Sequence, residues 1–200
     1  IINTYGLDPL RYYLIKEVSF GNDGNISQDK LEDCINSDLA NNYGNLCQRV
    51  TAFAEKNCSS KIPEVKNFDK SDLIMLNKFT ENLDKIRQEI DKQNVNFYIS
   101  FIVSALFEAN KYFNDQEPWK KKDDIDRLNT IIYTSLEMIR KISIMLYPII
   151  PDSIDKALKI FNLNSKDIIL ESIASHNYLR TGRDINRIGI LFKKIEKKDD

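Results

Sequence analysis

Glycine and proline are scarce, with 6 and 5 copies in 200 residues. So few breakers leave long uninterrupted segments, as helices require. Cysteine is equally sparse: Cys34, Cys47 and Cys58 show no CxxC spacing, and the sole histidine, His176, is far from all three in sequence. A disulfide framework needs a shorter, Cys-denser chain and a zinc site needs clustered ligands, so both are excluded. Three reduced structural thiols in a reducing compartment, the cytoplasm, are expected instead. Charge of one sign is missing too, since 29 Lys and Arg stand against 30 Asp and Glu, leaving net −1. A protein that coats nucleic acid non-specifically, DNA included, would be clearly basic, so any RNA contact must come from a local patch. No hydrophobic run is long enough to span a bilayer: the most apolar stretch, residues 142–151, is short and follows Glu137, Arg140 and Lys141.

Catalytic signatures are also absent. Gly21-Asn22-Asp23-Gly24 leads from helix to helix without the strand that a nucleotide loop requires. A Ser-His-Asp arrangement could use only His176, which reads as surface decoration in a polar tail. Asp123, Asp124 and Asp126 form a short acidic run at a helix start, which the helix dipole favours without any metal. No catalytic residue, metal ligand or cofactor is therefore assigned.

What is present is apolar periodicity in steps of three and four. Asp8-Pro9 reads as an N-cap followed by proline at the first helical position, opening a helix that runs to about Phe20 and stops at Gly21. From the capping residue Ser27, the series Leu31, Ile35, Leu39, Tyr43, Leu46, Val50 and Phe53 marks a long amphipathic helix, broken near Ser37-Asp38. Gly44 inside it points to close approach by a neighbour or a ligand. A loop holding Pro63 precedes a helix that starts at Asp69 or Ser71 and carries Leu76, Phe79 and Ile86. Another holds Phe97, Ile102, Leu106 and Ala109 and ends before Glu117-Pro118; the next runs from Ile125 to Leu146 and stops at Pro148. A short helix over residues 152–161 follows, and then an aperiodic tail. The fold expected is an all-α bundle of five to six helices, with an irregular C-terminal tail packed across it.

The only tryptophan, Trp119, belongs to no periodic series. Pro118 fixes φ and restricts Glu117 to extended backbone, which puts Trp119 at a rigid corner between two helices. A large flat ring there suits stacking on an unpaired base, while the bland alternative is a rim aromatic capping the bundle. Asn45 and Arg49 place an amide and a guanidinium at i and i+4 on one helix face. Lys120, Lys121 and Lys122 follow Trp119 and, with Lys111, could contact phosphates. Tyr112 and Phe113, at helical spacing, read as core. Two readings stay open on the residues alone: an RNA-reading surface, or a helical protein-interaction module anchored by Trp119.

Residues 36–49, ending Asn-Asn-Tyr-Gly-Asn-Leu-Cys-Gln-Arg, together with Asn110-Lys111-Tyr112 and Glu117-Pro118-Trp119, resemble the C-terminal anticodon-binding domain of bacterial methionyl-tRNA synthetases. The opening Ile1-Ile2-Asn3-Thr4-Tyr5-Gly6-Leu7-Asp8-Pro9 resembles the segment just after that family's Lys-Met-Ser-Lys-Ser loop. Other class I synthetases, for leucine, isoleucine, valine or cysteine, have related bundles, and Asn45-x-x-x-Arg49 with Glu117-Pro118-Trp119 is what favours methionine. The resemblance implies recognition of the CAU anticodon of tRNA(Met). Trp119 would stack on the wobble cytosine, Pro118 would set the ring, and Asn45 and Arg49 would contact anticodon bases. It also implies that the chain is cut from a longer ligase, so that residues 1–26 are a connector after an absent catalytic domain, 27–162 the bundle and 163–200 the tail. ATP with Mg, and a zinc knuckle, would belong to that absent domain, and the piece alone would be a monomer without aminoacylation activity. The ending Ile190-Leu191-Phe192-Lys193-Lys194-Ile195-Glu196 departs from the family's Pro-Leu-Phe-Pro-Arg-Ile-Glu at both prolines.

Overall fold

A computed structural model describes residues 1–18, 24, 26–176 and 178–196. A one-turn helix α1 (Ile2–Tyr5) leads through Gly6, at φ 90°, into α2 (Leu7–Glu17). Asp8 is not the cap of its own helix. It lies buried in the first turn of α2, and its carboxylate accepts the Ser153 backbone N–H at 2.6 Å. The expected stop at Phe20 and Gly21 falls outside the described residues.

Ser27 caps the next helix as expected, accepting from the Lys30 N–H. The break expected near Ser37-Asp38 does not occur. Helix α3 (Gln28–Cys34) passes through wider π-helical turns (Ile35–Gly44) straight into α4 (Asn45–Cys58). The reason is that Asp38 turns inward, where Tyr12 Oη and Lys16 Nζ of α2 donate to its carboxylate at 3.0 and 2.7 Å. A satisfied buried carboxylate need not unwind the helix to reach water. Gly44 meets a close neighbour, because a Cβ there would sit 3.1 Å from the Leu39 carbonyl oxygen and 3.8 Å from the Phe192 ring.

After a loop, α5 (Lys70–Asp91) opens on a capping box in which Asp69 and Asp72 satisfy each other's backbone N–H. Helices α6 (Val95–Asp115), α7 (Ile125–Leu146) and α8 (Pro151–Leu158) follow, the last extended by a 3-10 turn (Lys159–Phe161). Counting α3–α4 as one rod, six helices longer than one turn make the bundle among the described residues. The cysteines are free thiols, and burial pushes Cys34 and Cys47 up to about 12 and Cys58 to about 11. No helix among the described residues is long and apolar enough to cross a membrane.

The central helix α7 is covered on nearly every side, by α4, α5, α6, α8 and the tail. Glu137, Arg140 and Lys141, which read in the sequence as a charged edge, are each 0% exposed. Arg140 Nε donates to Glu137 at 2.8 Å, its Nη atoms donate to the Ser172 hydroxyl and carbonyl, and its guanidinium lies 4.2 Å from the Tyr178 ring centroid. Glu137 also accepts the Leu179 N–H at 2.8 Å, while Lys141 Nζ donates to the Leu76 carbonyl at 2.8 Å. Glu137 and Arg140 latch the tail onto the bundle, and Lys141 ties α7 to α5. His176 is part of this packing, not a surface residue: it is half-buried, its Nδ1 is buried without a partner, and burial with nearby Lys141 lowers its pKa.

Further on, the tail crosses the bundle without the two prolines. Asn36 makes a two-way amide pair with the Ile195 backbone at 2.9 and 2.8 Å, and Phe192 packs edge-on against Tyr43.

Candidate nucleic-acid interface

Helix α4 buries Leu46, Cys47 and Val50 on one side. Its opposite face therefore carries Asn45, Gln48 and Arg49, at i, i+3 and i+4. Asn45 is exposed and Arg49 half-buried. The Arg49 guanidinium lies 5.3 Å from the centroid of the Phe113 ring, and its Nη2 donates to Asn114 Oδ1 at 2.6 Å. A cation held over an aromatic face and tied to an amide keeps its remaining N–H groups in a fixed orientation.

Phe113 itself is only 2% exposed, as a core residue should be. It nevertheless organises the surface around it. Phe53 meets it edge-on at 5.9 Å and Trp119 at 6.3 Å. Trp119 sits in a single 3-10 turn (Pro118–Lys120) between α6 and α7, with Pro118 buried beneath and the indole 41% exposed. The indole packs at a steep angle against the buried Phe113 while the residue stays partly exposed, an arrangement suited to receiving another flat group.

The corner that holds the ring is not extended at Glu117, contrary to the pre-proline expectation. Glu117 adopts φ 44° and ψ 58°, the left-handed region, which costs a non-glycine residue roughly 1–2 kcal/mol. The neighbours impose it. Gln116 Oε1 accepts from Arg127 at 2.6 Å, Arg127 forks onto the buried Asp72 at 2.6 and 3.0 Å, and Tyr112 Oη donates to the same carboxylate at 2.5 Å. Burial, reinforced by Asp72, raises the Tyr112 phenol well above its ordinary value, so this network stays protonated and intact. With α6 and α7 locked at both sides, the short link between them has little choice of path.

The lysines divide into two pairs. Lys111 is ion-paired to Asp115, and Lys120 to Glu117 at 2.7 Å. Lys121 and Lys122 are exposed, and no ion pair within 4.0 Å among the described residues includes them. The acidic run does local work: Asp124 caps α7 through the Arg127 N–H and Asp126 pairs with Lys66. No group of three or more His, Cys, Asp or Glu able to hold a metal occurs among the described residues.

The structure thus brings Arg49, Pro118 and Trp119 around one buried ring, with Asn45 a turn away on α4. Sequence reading missed Phe113 and Asn114 as the link. It also missed an open cleft of about 510 Å³ between the α4 face and tail residues 187–190, lined by Asn45, Gln48, Arg49 and Arg187.

Residues 62–200 match the family described as the anticodon binding domain of methionyl tRNA ligase, and residues 1–51 match the one described as tRNA synthetases class I (M). The site straddles the two, with Asn45 and Arg49 in one segment and Phe113 to Trp119 in the other. The methionine–tRNA ligase of Brucella suis biovar 1 is 39% identical over 161 residues, covering 80% of this chain and 31% of that protein. That of Thermotoga maritima is 34% identical over 200 residues, 99% of this chain and 32% of its own length. The free methionyl-tRNA synthetase of Mycobacterium tuberculosis superposes with a TM-score of 0.91 at 28% identity, over 98% of this chain and 40% of that one. The same enzyme with methionyl-adenylate gives 0.89. The chain spans about a third of the length of these curated ligases. With most of its length matched by the domain and its whole fold superposing on the enzyme, the chain belongs to the methionyl-tRNA ligase family and carries its anticodon-binding domain.

Proposed function

We propose that the surface around Phe113 reads the CAU anticodon of tRNA(Met). The observation that supports it most is the shared ring: Arg49 lies over Phe113 while Trp119 packs against the same ring at a steep angle, so a fixed cation and a partly exposed aromatic plate border one patch. In this reading the indole stacks on the wobble cytosine, with the buried Pro118 setting its angle. Asn45 and the free guanidinium edge of Arg49 hydrogen-bond the other anticodon bases. Lys121 and Lys122 neutralise phosphates, and Lys111 and Lys120 join them once RNA competes with their exposed carboxylate partners.

The parent protein, in this reading, is a cytoplasmic, monomeric ligase that joins methionine to its tRNA at the expense of ATP. In the same reading the chain alone is an RNA-binding part without aminoacylation activity, and methionine-dependent exchange of pyrophosphate into ATP by the pure chain would refute that.

Titration of a labelled CAU stem-loop with the chain tests the reading. Saturable binding that Trp119→Ala weakens supports it. Equal binding of a stem-loop with a scrambled triplet contradicts it, as would capture of an amphipathic helix by Trp119 with no RNA binding.

A further inference from the structure

Asn45, Gln48 and Arg49 do not face open solvent alone. Tail residues 187–191 run over their face of α4 as a strap pinned at both ends. Before the span, the Ile185 N–H donates to the Ser60 carbonyl at 2.7 Å and the Asn186 N–H to the Ile160 carbonyl at 2.8 Å. After it, Phe192 is buried against Tyr43 at the place that Gly44 leaves open, and Asn36 holds Ile195 from both sides. Between those anchors the strap stands off the helix. The cleft of about 510 Å³ beneath it adjoins a second of about 470 Å³, and the two share Asn45, Gln48 and Ile190.

The lining has the composition of a site for an unstacked base. Gln48 and Asn45 offer amides that can both donate and accept. Ile190, 68% exposed, offers an apolar contact for a ring face. Cations stand at both ends of the strap: Arg187 at one, Lys193 and Lys194 at the other, all exposed. Their partners are weak or absent from the ion pairs found: Arg187 reaches Glu55 only at 3.5 Å, and neither lysine is in an ion pair within 4.0 Å among the described residues. In a chain of net charge −1, an amide-lined cleft with cations at both mouths is a local patch of the kind a single strand needs.

We propose that the strap and the α4 face together form a second RNA subsite, in which Gln48 reads a loop base that the cleft admits and Arg187, Lys193 and Lys194 hold the phosphates on either side of it. The subsite extends the anticodon reading and rests on it. It accommodates an anticodon-loop nucleotide other than the one stacked on Trp119.

Two variants of the 200-residue chain, Gln48→Ala and the triple Arg187→Ala/Lys193→Ala/Lys194→Ala, are titrated with the CAU stem-loop across a salt series. A third, with Lys70, Lys92 and Lys166 changed to Ala, carries the same charge change on exposed positions away from the cleft. The cleft triple should weaken binding about tenfold or more and flatten the log–log salt dependence by ~0.7 for each phosphate contact removed. Gln48→Ala should weaken binding with the salt dependence unchanged, and the melting temperature should stay put in both. Parental affinity and slope in both cleft variants, while Trp119→Ala still loses binding, would overturn the subsite and leave the anticodon reading standing. An equal loss in the control triple would overturn it as well, since the effect would then be general charge. If the parent chain binds the CAU loop no better than a scrambled one, the anticodon reading itself fails.

Discussion

Arg49 and Trp119 never touch in the contacts observed, yet both are set by the same side chain: the guanidinium lies 5.3 Å from the centre of Phe113 and the indole meets that ring edge-on at 6.3 Å. Residues 70 positions apart therefore share one mechanical reference. A change at Phe113 should disturb RNA binding without itself contacting RNA.

The first prediction follows. Phe113→Ala should cost about 3–5 kcal/mol of fold stability, as truncation of a buried aromatic does, and Phe113→Leu clearly less. At a temperature where Phe113→Leu is fully folded, its stem-loop affinity should still fall, because neither Arg49 nor Trp119 keeps its aromatic partner. Parental affinity in folded Phe113→Leu would show that the ring is only core.

Trp119 should behave in the opposite way. With 41% of the residue exposed, Trp119→Ala should lower the melting temperature little while removing roughly 1–3 kcal/mol of stacking, about tenfold to a hundredfold in affinity. Trp119→Phe should recover part of that loss because it keeps a π-face, and Trp119→Leu should not. A large stability loss with unchanged affinity on the folded protein would make Trp119 a scaffold residue.

Arg49→Lys keeps the charge but gives up the planar group over Phe113 and the guanidinium hydrogen bond to Asn114. Affinity should drop by about 1–2 kcal/mol despite the retained cation. If the lysine variant binds as the parent does, Arg49 supplies charge alone.

Glu117 offers a test of strain. Glycine enters the left-handed region freely, so Glu117→Gly should raise stability by about 0.5–1 kcal/mol, the strain relief being partly offset by a more flexible unfolded chain. The exposed pair to Lys120 that it removes contributes little. Chemical denaturation that shows a loss instead would mean the corner is held by the Glu117 side chain.

Lys141 gives a pH signature. Burial pulls its ammonium down to about 8 from the ordinary 10.5, with Glu137 opposing and Arg140 adding to the effect. Between those values the unfolded chain holds a proton that the folded chain does not, so stability rises with pH across that window. Above about pH 10 the buried tyrosines, among them Tyr43 and Tyr112 with raised values, act the other way, since the unfolded chain sheds their protons first. The stability of the parent minus that of Lys141→Met should therefore increase by about 2 kcal/mol from pH 7.5 to 9.5. A flat difference would mean that Lys141 keeps an ordinary value inside the fold.

The helices were legible because their signals are local: steps of three and four, Ser27 and Asp69 as caps, prolines at the ends. The exposed corner position of Trp119 was legible because no periodic series claims it. Phe113 was not, since a buried aromatic at helical spacing carries no mark of the groups it will support on its rim. Nor were Glu137, Arg140 and Lys141, whose charges suggest solvent until Ser172, Tyr178 and Leu179 arrive from a distant, aperiodic stretch to satisfy the first two and the Leu76 carbonyl of α5 receives the third. Asp8 was misread for the same reason: its partner, Ser153, lies 145 positions away. The strap over Asn45 and Gln48 is held by backbone pairing to Asn36 and by one phenylalanine, which no composition or period announces.

The central claim is that this surface distinguishes the CAU triplet, and one measurement addresses it most directly. Dissociation constants are determined for otherwise identical stem-loops that carry CAU, a wobble-substituted UAU and a fully scrambled triplet, at a single moderate salt concentration. The account predicts tightest binding to CAU, with a loss of roughly tenfold or more for UAU and a larger one for the scrambled loop, because each mismatch leaves a fixed donor or acceptor unpaired. Three equal constants would contradict it, leaving a surface that binds RNA by charge and stacking without reading the anticodon.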